Sequence, residues 1–575
     1  MATVPVLVGT SGREFLKDNQ ARTMQSNWNW NQCWRLIILL LWALPAAVQA
    51  QFAFTTNADN TLTITAYTGT SQNPVIPVNA NGYPVTIIGT NAFRYSQGYL
   101  TNITVPEGII AIDDTAFYSE PFSSVTLPKS LLTIGSSAFL NCYNLTSVTF
   151  GNGITNIGSA TDSEGVFYLT QLTSVVIPNS VVSIGSWAFS IGNPTLTNIV
   201  IGTNVAIIGD HAFDTCSLLH DITLPDSVRS IGNRAFFYCN DLRSVALGNG
   251  VTTIGTNAFD TCTSLTNIII PGSVTNLGSE AFYECPSLAH VTIQSNIANF
   301  GDGAFLSCSG LTSLTLGNSV STIGNSAFQN CTSLTNFTIP SSVTNIGAYA
   351  FANTHMTNLV VPLSAGNNIG DGAFSGNSYL TSVIISTNMT YIGNYLFAGC
   401  GFLTNVIIPD TVTSIGTNAF YNCPALSRLT IPASVTNLAD DAFRNSGGNG
   451  RFYFAGDAPT MGTNVFGGRI GTFTFNWTLY YLPGTTGWSN PFYGSTAVLW
   501  NPQAQNDAFF GVRSNRFGFN ITGSSNVVLV VEASTNLANP VWQALGTYTL
   551  SNAPVYFSDA QWTNYPGRYY RFRSP

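Results

Sequence analysis

The sequence predicts a mostly β solenoid built from repeats, followed by a small β-sandwich, and three observations support this. A phenylalanine returns about every 23 residues over most of the chain. Each unit between two such residues contains a short run in which apolar and polar residues alternate, which is typical of a strand. Residues 506–575 lose this period and contain short β runs between turn residues. An internal repeat of this length indicates turns that stack on one another.

The recurring phenylalanine defines seventeen units. An alanine precedes it in most units, and both side chains are expected to point inward, because a single unit cannot bury its own apolar face. The phenylalanines are Phe93, Phe117, Phe139, Phe167, Phe189, Phe213, Phe236, Phe259, Phe282, Phe305, Phe328, Phe351, Phe374, Phe397, Phe420, Phe443 and Phe466.

Each unit has the same internal pattern, which is clear in the stretch NAFDTCTSLTNIIIPGSVTNLGS at 257–279. Leu265, Ile268 and Ile270 have the spacing L-x-x-I-x-I, which predicts a strand whose alternate residues are buried. Pro271 is expected to end that strand, since it has no backbone donor for the next hydrogen bond of the ladder.

A second, shorter apolar pair follows at Val274 and Leu277, and Gly278 closes it. We expect the glycine at this position to form a tight corner with positive φ. The same glycine recurs at Gly135, Gly185, Gly232, Gly255, Gly324, Gly347 and Gly416.

The unit resembles the Treponema-pallidum-type leucine-rich repeat of BspA-like surface proteins, whose units read much like LTSVTIPxSVTxIGxxAFxxC. The resemblance covers roughly residues 85–470. It implies a leucine-rich-repeat solenoid of about 17 units, with a parallel sheet on its concave face. It also implies a bacterial binding or adhesion protein with host or matrix proteins as partners, although a shared fold does not by itself define a function.

The domain organisation follows from changes in composition. Residues 1–50 are interpreted as a signal peptide, because Arg35 precedes an apolar run at 36–48 and small residues follow it; Met24 is the alternative start. This run is too short to span a bilayer, so the mature chain is predicted to be exported, extracellular or at the cell surface, without a transmembrane span. The remaining predicted parts are an N-terminal cap at 51–84, the solenoid at 85–470, a C-terminal cap and linker at 471–505, and the β-sandwich at 506–575.

Nine cysteines each follow a repeat phenylalanine by three residues. Side chains in one stacked column do not converge as metal ligands must, so we interpret them as buried free thiols that pack as small apolar groups. Disulfides between neighbouring turns are the alternative, since export permits oxidation. They are Cys142, Cys216, Cys239, Cys262, Cys285, Cys308, Cys331, Cys400 and Cys423.

The sequence predicts no catalytic, cofactor-binding or metal-binding residues. The pairs Asp113/Asp114 and Asp440/Asp441 precede Ala-Phe corners where other units place Ser, Thr or Asn, which favours exposed turns over acid–base chemistry. Acids such as Asp260 are likewise expected at exposed corners. Charged residues make up only 8% of the chain and the net charge is −8, which argues against a nucleic-acid partner.

One position remains as a candidate binding surface. It is the residue between the two inward residues of each strand, and we call its members the outward column. They are Thr104, Thr126, Thr149, Val176, Val200, Thr223, Ala246, Ile269, Thr292, Thr315, Thr338, Val360, Ile384, Ile407 and Thr430.

The outward column permits two interpretations. Threonine, valine and isoleucine favour strands in any case. The functional interpretation is a ligand surface, since stacked repeats create extended binding faces. The residues predicted to bind are Thr223, Ile269, Thr292, Thr315, Thr338, Val360, Ile384, Ile407 and Thr430.

Three functions follow from the sequence. The first is a secreted or cell-surface protein that recognises a protein or glycan ligand on an external surface through the concave face. The second is a structural protein that binds an ordered solid such as ice or polysaccharide, which a stricter threonine repeat would favour. The third is an enzyme with its site in a cap or in the C-terminal module, for which the sequence offers no motif.

Overall fold

The computed structural model describes residues 51–574, apart from 95, 97–99, 160–163, 191–192, 295–296, 298, 449, 468, 471–472 and 475–476. The predicted signal peptide and the alternative start at Met24 lie outside the described residues. Within the described part the chain is mostly β and forms a solenoid of about 17 turns, as predicted, with a single short 3₁₀ segment at Trp562–Asn564.

Each regular turn contributes a first strand at the L-x-x-I-x-I segment, and these strands form a parallel ladder that is divided into four sheets. In these strands the inward residues are buried and their neighbours are exposed, as Asn267–Ile270 shows. The first strands are Ile103–Thr104, Ser124–Thr126, Ser147–Thr149, Ser174–Val176, Asn198–Val200, Asp221–Thr223, Ser244–Ala246, Asn267–Ile270, His290–Ile293, Ser313–Thr315, Asn358–Val360, Ser382–Ile384, Asn405–Ile407, Arg428–Ile431, Arg451–Phe454, Thr478–Tyr481 and Thr496–Leu499.

A second strand of two residues forms another parallel ladder on a different side of each turn. It corresponds to the short apolar pair before the glycine. The second strands are Ala111–Ile112, Thr133–Ile134, Asn156–Ile157, Ser183–Ile184, Ile207–Ile208, Ser230–Ile231, Thr253–Ile254, Asn276–Leu277, Asn299–Phe300, Thr322–Ile323, Asn345–Ile346, Tyr391–Ile392, Ser414–Ile415, Asn437–Leu438 and Thr460–Met461.

The first ladder is interrupted where the second continues. The segment 336–338 forms no strand, although Asn345–Ile346 of the same turn pairs with Thr322–Ile323. Phe337 occupies the inward position that smaller Val, Ile or Leu residues fill in the other first strands up to Arg428–Ile431, and its ring lies 5.5 Å from that of Phe351 while staying partly exposed. Phe452 fills the equivalent position of the strand Arg451–Phe454 and is fully buried, so the size of the ring alone does not account for the missing strand.

The interior is a column of stacked phenylalanine rings. All seventeen repeat phenylalanines are buried. Centroids of successive rings are 4.9 to 6.0 Å apart, and most neighbouring rings are within about 15° of parallel. The backbone follows the same stacking, since the N–H of Phe259 donates to the carbonyl of Ala281 at 2.8 Å in the next turn. The inward orientation predicted for the phenylalanine is therefore confirmed.

The nine cysteines are buried free thiols, in agreement with the prediction. Each Sγ also donates a hydrogen bond to the carbonyl of the phenylalanine one turn earlier, as Cys262 does to Phe236 at 3.3 Å. Asn193 and Asn377 take this role in turns that lack the cysteine, through Nδ2 donation to Phe167 and Phe351. The position therefore requires a small buried donor, which the spacing alone does not indicate.

The expectation of positive φ at the recurring glycine is wrong. None of the eight glycines from Gly135 to Gly416 named above has a left-handed backbone. Glycine is required at this position because the backbone of the preceding turn lies too close for a Cβ atom. A Cβ on Gly255 would lie 2.6 Å from the backbone nitrogen of Asn233, which real Cβ atoms do not tolerate. Left-handed residues recur instead before the Ala-Phe pair and before the cysteine, as at Asn257 and Thr261.

The acidic residues at the corners form more hydrogen bonds within the protein than the sequence predicts. Asp114 and Asp440 lie at exposed turns, as expected, and accept backbone N–H groups of Ser136 and Thr463 in the following turns. Asp260, expected to be exposed, is buried; Asn257 and Thr261 donate to it at 2.8 and 2.7 Å. Burial raises its pKa.

The solenoid begins with antiparallel strands. Phe52–Thr56 pairs with Leu62–Tyr67, and Asn79–Ala80 pairs with Tyr83–Ile88. Leu62–Tyr67 then pairs in parallel with Tyr83–Ile88, which starts the second ladder. A short antiparallel pair, Arg469–Ile470 with Phe473–Thr474, lies near the other end.

The terminal module, residues 503–574, contains two antiparallel sheets. The first comprises Gln503–Gln505, Gly511–Arg513, Arg516–Thr522 and Val555–Asp559, and the second comprises Val528–Ser534, Gln543–Thr549 and Tyr569–Arg573. Phe519 and Phe557 of the first sheet share a core with Leu529 and Val531 of the second. Two sheets around one core support the predicted sandwich.

Candidate functional site

The outward column lies where the sequence places it, at the outward positions of the first strands. Pairing aligns these residues from turn to turn, as Ile269 with Thr292 and Thr292 with Thr315. Of the nine predicted binding residues, Thr292 is partly buried and the others are exposed.

The structure divides these nine residues into separate groups. Thr223, Ile269, Thr292 and Thr315 belong to one five-stranded sheet. The next group is Val360, Ile384 and Ile407, in a three-stranded sheet. Thr338 lies in the interruption between these two sheets. Thr430 lies in the first strand of the four-stranded sheet that ends the solenoid. They therefore form a segmented surface rather than one uniform stripe.

The three-stranded sheet presents the most apolar part of the column. Val360, Ile384 and Ile407 are 58%, 56% and 63% exposed. Exposed apolar side chains at equivalent positions of neighbouring turns make this part of the column a candidate interaction surface.

A second exposed column precedes the same strands. Tyr379 and Phe402 are both exposed and their ring centroids are 6.2 Å apart, and the ring of His355 lies 4.7 Å from that of Tyr379. We call residues 355–407 the apolar turns. Sequence reasoning missed these rings, although each precedes its outward residue by five positions, a spacing that could have revealed them.

Three open grooves also lie on the first-strand face. The groove near residues 147–203 has a volume of about 660 Å³. The grooves near residues 314–360 and 404–455 have volumes of about 530 Å³ and 560 Å³. The groove at 404–455 is lined by Ile407 and Thr430, with Asp410 and Arg428 as its charged residues. A groove therefore adjoins each end of the apolar turns.

The terminal module covers the end of the outward column. Register places Tyr453 beside Thr430, and Tyr480 beside Tyr453. These two tyrosines are only 8% and 3% exposed, because they pack in the core of the module. Arg428 also donates from Nη2 to the carbonyl and hydroxyl of Ser574, at 2.9 and 3.0 Å. The column therefore changes from exposed to covered after Thr430.

A polar cluster also lies at the corners of two neighbouring turns. His211 Nδ1 lies 2.6 Å from an oxygen of Asp214, and the imidazole stacks on Trp187 at 3.8 Å. This cluster joins neighbouring corners. In the part of the chain that the structure describes, no group of three or more His, Cys, Asp or Glu side chains could hold a metal ion. That part also contains no helix with the length and apolar character needed to cross a bilayer.

These features define the class of protein: a parallel β-solenoid of leucine-rich repeats with an antiparallel β module at its end. A family model described as BspA type leucine rich repeat region matches residues 72–192, 191–312, 252–375, 299–424 and 367–482. Because the matches together cover more than half of the chain, the chain belongs to the BspA-type leucine-rich-repeat family.

The chain is similar to several solved structures. A leucine-rich repeat protein from Bacteroides ovatus is 26% identical, with 67% of this chain and 94% of that chain covered and a TM-score of 0.52. A leucine rich cell surface protein from Faecalibacterium prausnitzii is 28% identical, with 71% and 94% covered and a TM-score of 0.36. The leucine rich repeat protein of T. pallidum is 23% identical, with 46% and 88% covered and a TM-score of 0.26. No curated protein matches the chain in sequence.

Proposed function

We propose that this chain is an exported, non-enzymatic binding protein at the cell surface, and that it recognises a protein partner through the outward column. Export rests on the predicted signal peptide. The observation that carries the binding site is the exposure of Val360, Ile384 and Ile407 at equivalent positions of three paired strands.

The chemistry of the apolar turns favours a protein partner over a glycan. Aliphatic side chains offer a glycan few hydrogen bonds, whereas they match the apolar centre of a protein interface. The paired strands hold these side chains in place before binding, so little conformational entropy is lost when a partner docks. The rings of Tyr379 and Phe402 extend the same surface, and aromatic residues are enriched in such interfaces.

The molecule itself contains an example of this mode of binding. The terminal module packs core residues of both its sheets, including Phe519 and Leu529, in one cluster with Tyr453 and Tyr480 at the end of the same column. A partner that presents an apolar sheet or an extended apolar segment would make equivalent contacts on Ile384 and Ile407.

The test is a binding screen of the purified full-length chain against arrays of extracellular proteins and of glycans. We expect a protein ligand, whose binding I384K and I407K together weaken by about tenfold or more, since buried charge at an apolar interface is costly. The matched control is Ile207→Lys, because Ile207 is 46% exposed on the second ladder. Binding to glycans alone, or equal loss in the control, would contradict the proposal.

A further inference from the structure

Four arginines lie close together where the solenoid meets the terminal module, and we call them the arginine cluster. Arg428 and Arg451 occupy paired positions of neighbouring first strands. Arg571 and Arg573 belong to the last strand of the terminal module. Charged residues make up only 8% of the chain and its net charge is −8, so a basic cluster departs locally from the composition.

Two guanidinium groups of the arginine cluster are held next to each other. Arg428 Nη2 and Arg573 Nη1 each donate to the carbonyl oxygen of Ser574 at 2.9 Å. Burial lowers the pKa of Arg428, and the charge of Arg573 lowers it further, because like charges repel. A negative charge beside Arg428 would reduce this repulsion.

The carboxylates of the chain are used elsewhere in the arginine cluster. Glu532 is buried and accepts from Nε of Arg571 at 2.8 Å and from Nε of Arg573 at 2.5 Å, through separate oxygens. Asp410 lines the same groove as Arg428, but among the described residues no carboxylate oxygen lies within 4.0 Å of the Arg428 guanidinium. Arg428 therefore lacks the acidic partner that Arg571 and Arg573 share.

Arg428 is accessible to a ligand and lies beside the apolar turns. It is exposed, and it lines the 560 Å³ groove together with Ile407 and Thr430. Side chains alternate along a strand, so Arg428 and Thr430 point to the same face as Ile407 of the preceding turn. A partner segment that covers Ile384 and Ile407 therefore meets Arg428 at the next turn.

We propose that the protein partner places a carboxylate, from an aspartate or a glutamate, against Arg428 while its apolar residues cover Ile384 and Ile407. Charge complementarity selects the acid, because a guanidinium binds a carboxylate through charge-assisted hydrogen bonds, whereas a cationic side chain would add to the repulsion there. This inference rests on the proposed function, because it names a second chemical feature of the same partner.

The experiment uses the full-length chain and two fluorescently labelled peptides of alternating leucine and threonine. One peptide ends in two glutamates and the other ends in two glutamines. We expect the glutamate peptide to bind about fivefold or more tightly in fluorescence anisotropy, because only a carboxylate forms an ion pair with Arg428. This preference should shrink as NaCl rises from about 50 to about 500 mM, since salt screens exposed charges.

Variants test whether Arg428 causes the preference. Arg428→Gln should abolish it, whereas Arg428→Lys keeps the positive charge and should still prefer the glutamate peptide. The matched control is Arg444→Gln, since the Arg444 side chain is 45% exposed, lies 3.5 Å from Asp441 at a corner, and carries the same charge. The control should leave the preference unchanged, and urea unfolding curves like that of the parent show that each variant is folded.

Four outcomes separate the alternatives. Equal affinity for the two peptides, or a preference that survives in R428Q, would overturn the proposal. Displacement of the glutamate peptide by polygalacturonate at equal carboxylate concentration would assign the site to an acidic glycan and overturn it as well. A preference that R428Q removes, in a chain that fails the protein-array test, would support a carboxylate site at Arg428 and reject the proposed function. A protein ligand on the array beside equal peptide affinities would reject the carboxylate site alone.

Discussion

The inward and outward columns of the solenoid are built by different rules. Inward, the same residue type recurs in turn after turn: phenylalanine at the stacked rings, and a small donor at the cysteine position. Outward, the residue changes along the chain, from Thr104, Thr126 and Thr149 to Val360, Ile384 and Ile407. At the end of the column it becomes tyrosine beneath the terminal module.

The difference follows from what each position contacts. An inward ring packs between the rings of the turns before and after it, so a substitution in one turn disturbs the packing of both neighbouring turns. An outward side chain contacts only its lateral neighbours and solvent, so its identity is free to vary with function. We infer that a position which keeps one residue type in successive turns serves packing. An exposed position at which the residue type changes over a few turns indicates a binding site.

The largest expected effect is on the inward side. Phe282→Ala removes a fully buried ring whose neighbours, at Phe259 and Phe305, lie 5.2 Å away on both sides. We expect a loss of about 3–5 kcal/mol in the free energy of unfolding, because the stacked turns cannot close the cavity. Urea denaturation followed by circular dichroism measures it. A loss below about 1 kcal/mol would mean that stacking does not fix this column.

A smaller effect is expected at the cysteine position. Cys262→Ala removes the weak donation to the carbonyl of Phe236 and a small apolar volume. That carbonyl also accepts the backbone N–H of Cys239, so it keeps a partner. We therefore expect a loss of about 1 kcal/mol in the same urea experiment. A loss as large as that of F282A would show that the thiol contributes more than packing and one weak hydrogen bond.

The sequence predicts the inward side well. The spacing of Phe259 and Phe282, and the alternation at Ile268 and Ile270, depend on local periodicity and on the neighbouring turn, both of which a repeat encodes directly. The position of the outward column follows from the same alternation.

The errors arise where a residue contacts another turn at close range. Gly255 is required by the backbone of the preceding turn rather than by its own φ, and no local pattern distinguishes the two causes. Asp260 is buried by Asn257 and by the next turn, where Glu280 also contacts Asn257. The burial of Tyr453 and Tyr480 depends on the terminal module, which lies far along the chain. Long-range contacts of this kind have no period for the sequence to reveal.

The smallest effect on stability should accompany a large effect on binding. Replacing Ile384 and Ile407 with threonine gives the apolar turns the outward residue that Thr292 and Thr315 provide in the earlier sheet. Threonine suits an exposed strand position as well as isoleucine does, so the free energy of unfolding should change by less than about 0.5 kcal/mol. Binding of the protein partner should weaken, because the partner loses apolar contact at both turns.

The matched comparison is Ile269→Thr, at the equivalent position of the earlier sheet, where Ile269 is also exposed. If the partner docks on the apolar turns, this variant should bind normally, as measured by biolayer interferometry. Equal weakening by I269T would extend the site over both sheets, and the outward column would then act as one continuous surface. Normal binding by the Ile384 and Ile407 double variant would instead show that the exposed aliphatic residues at these turns contribute to strand formation and not to binding.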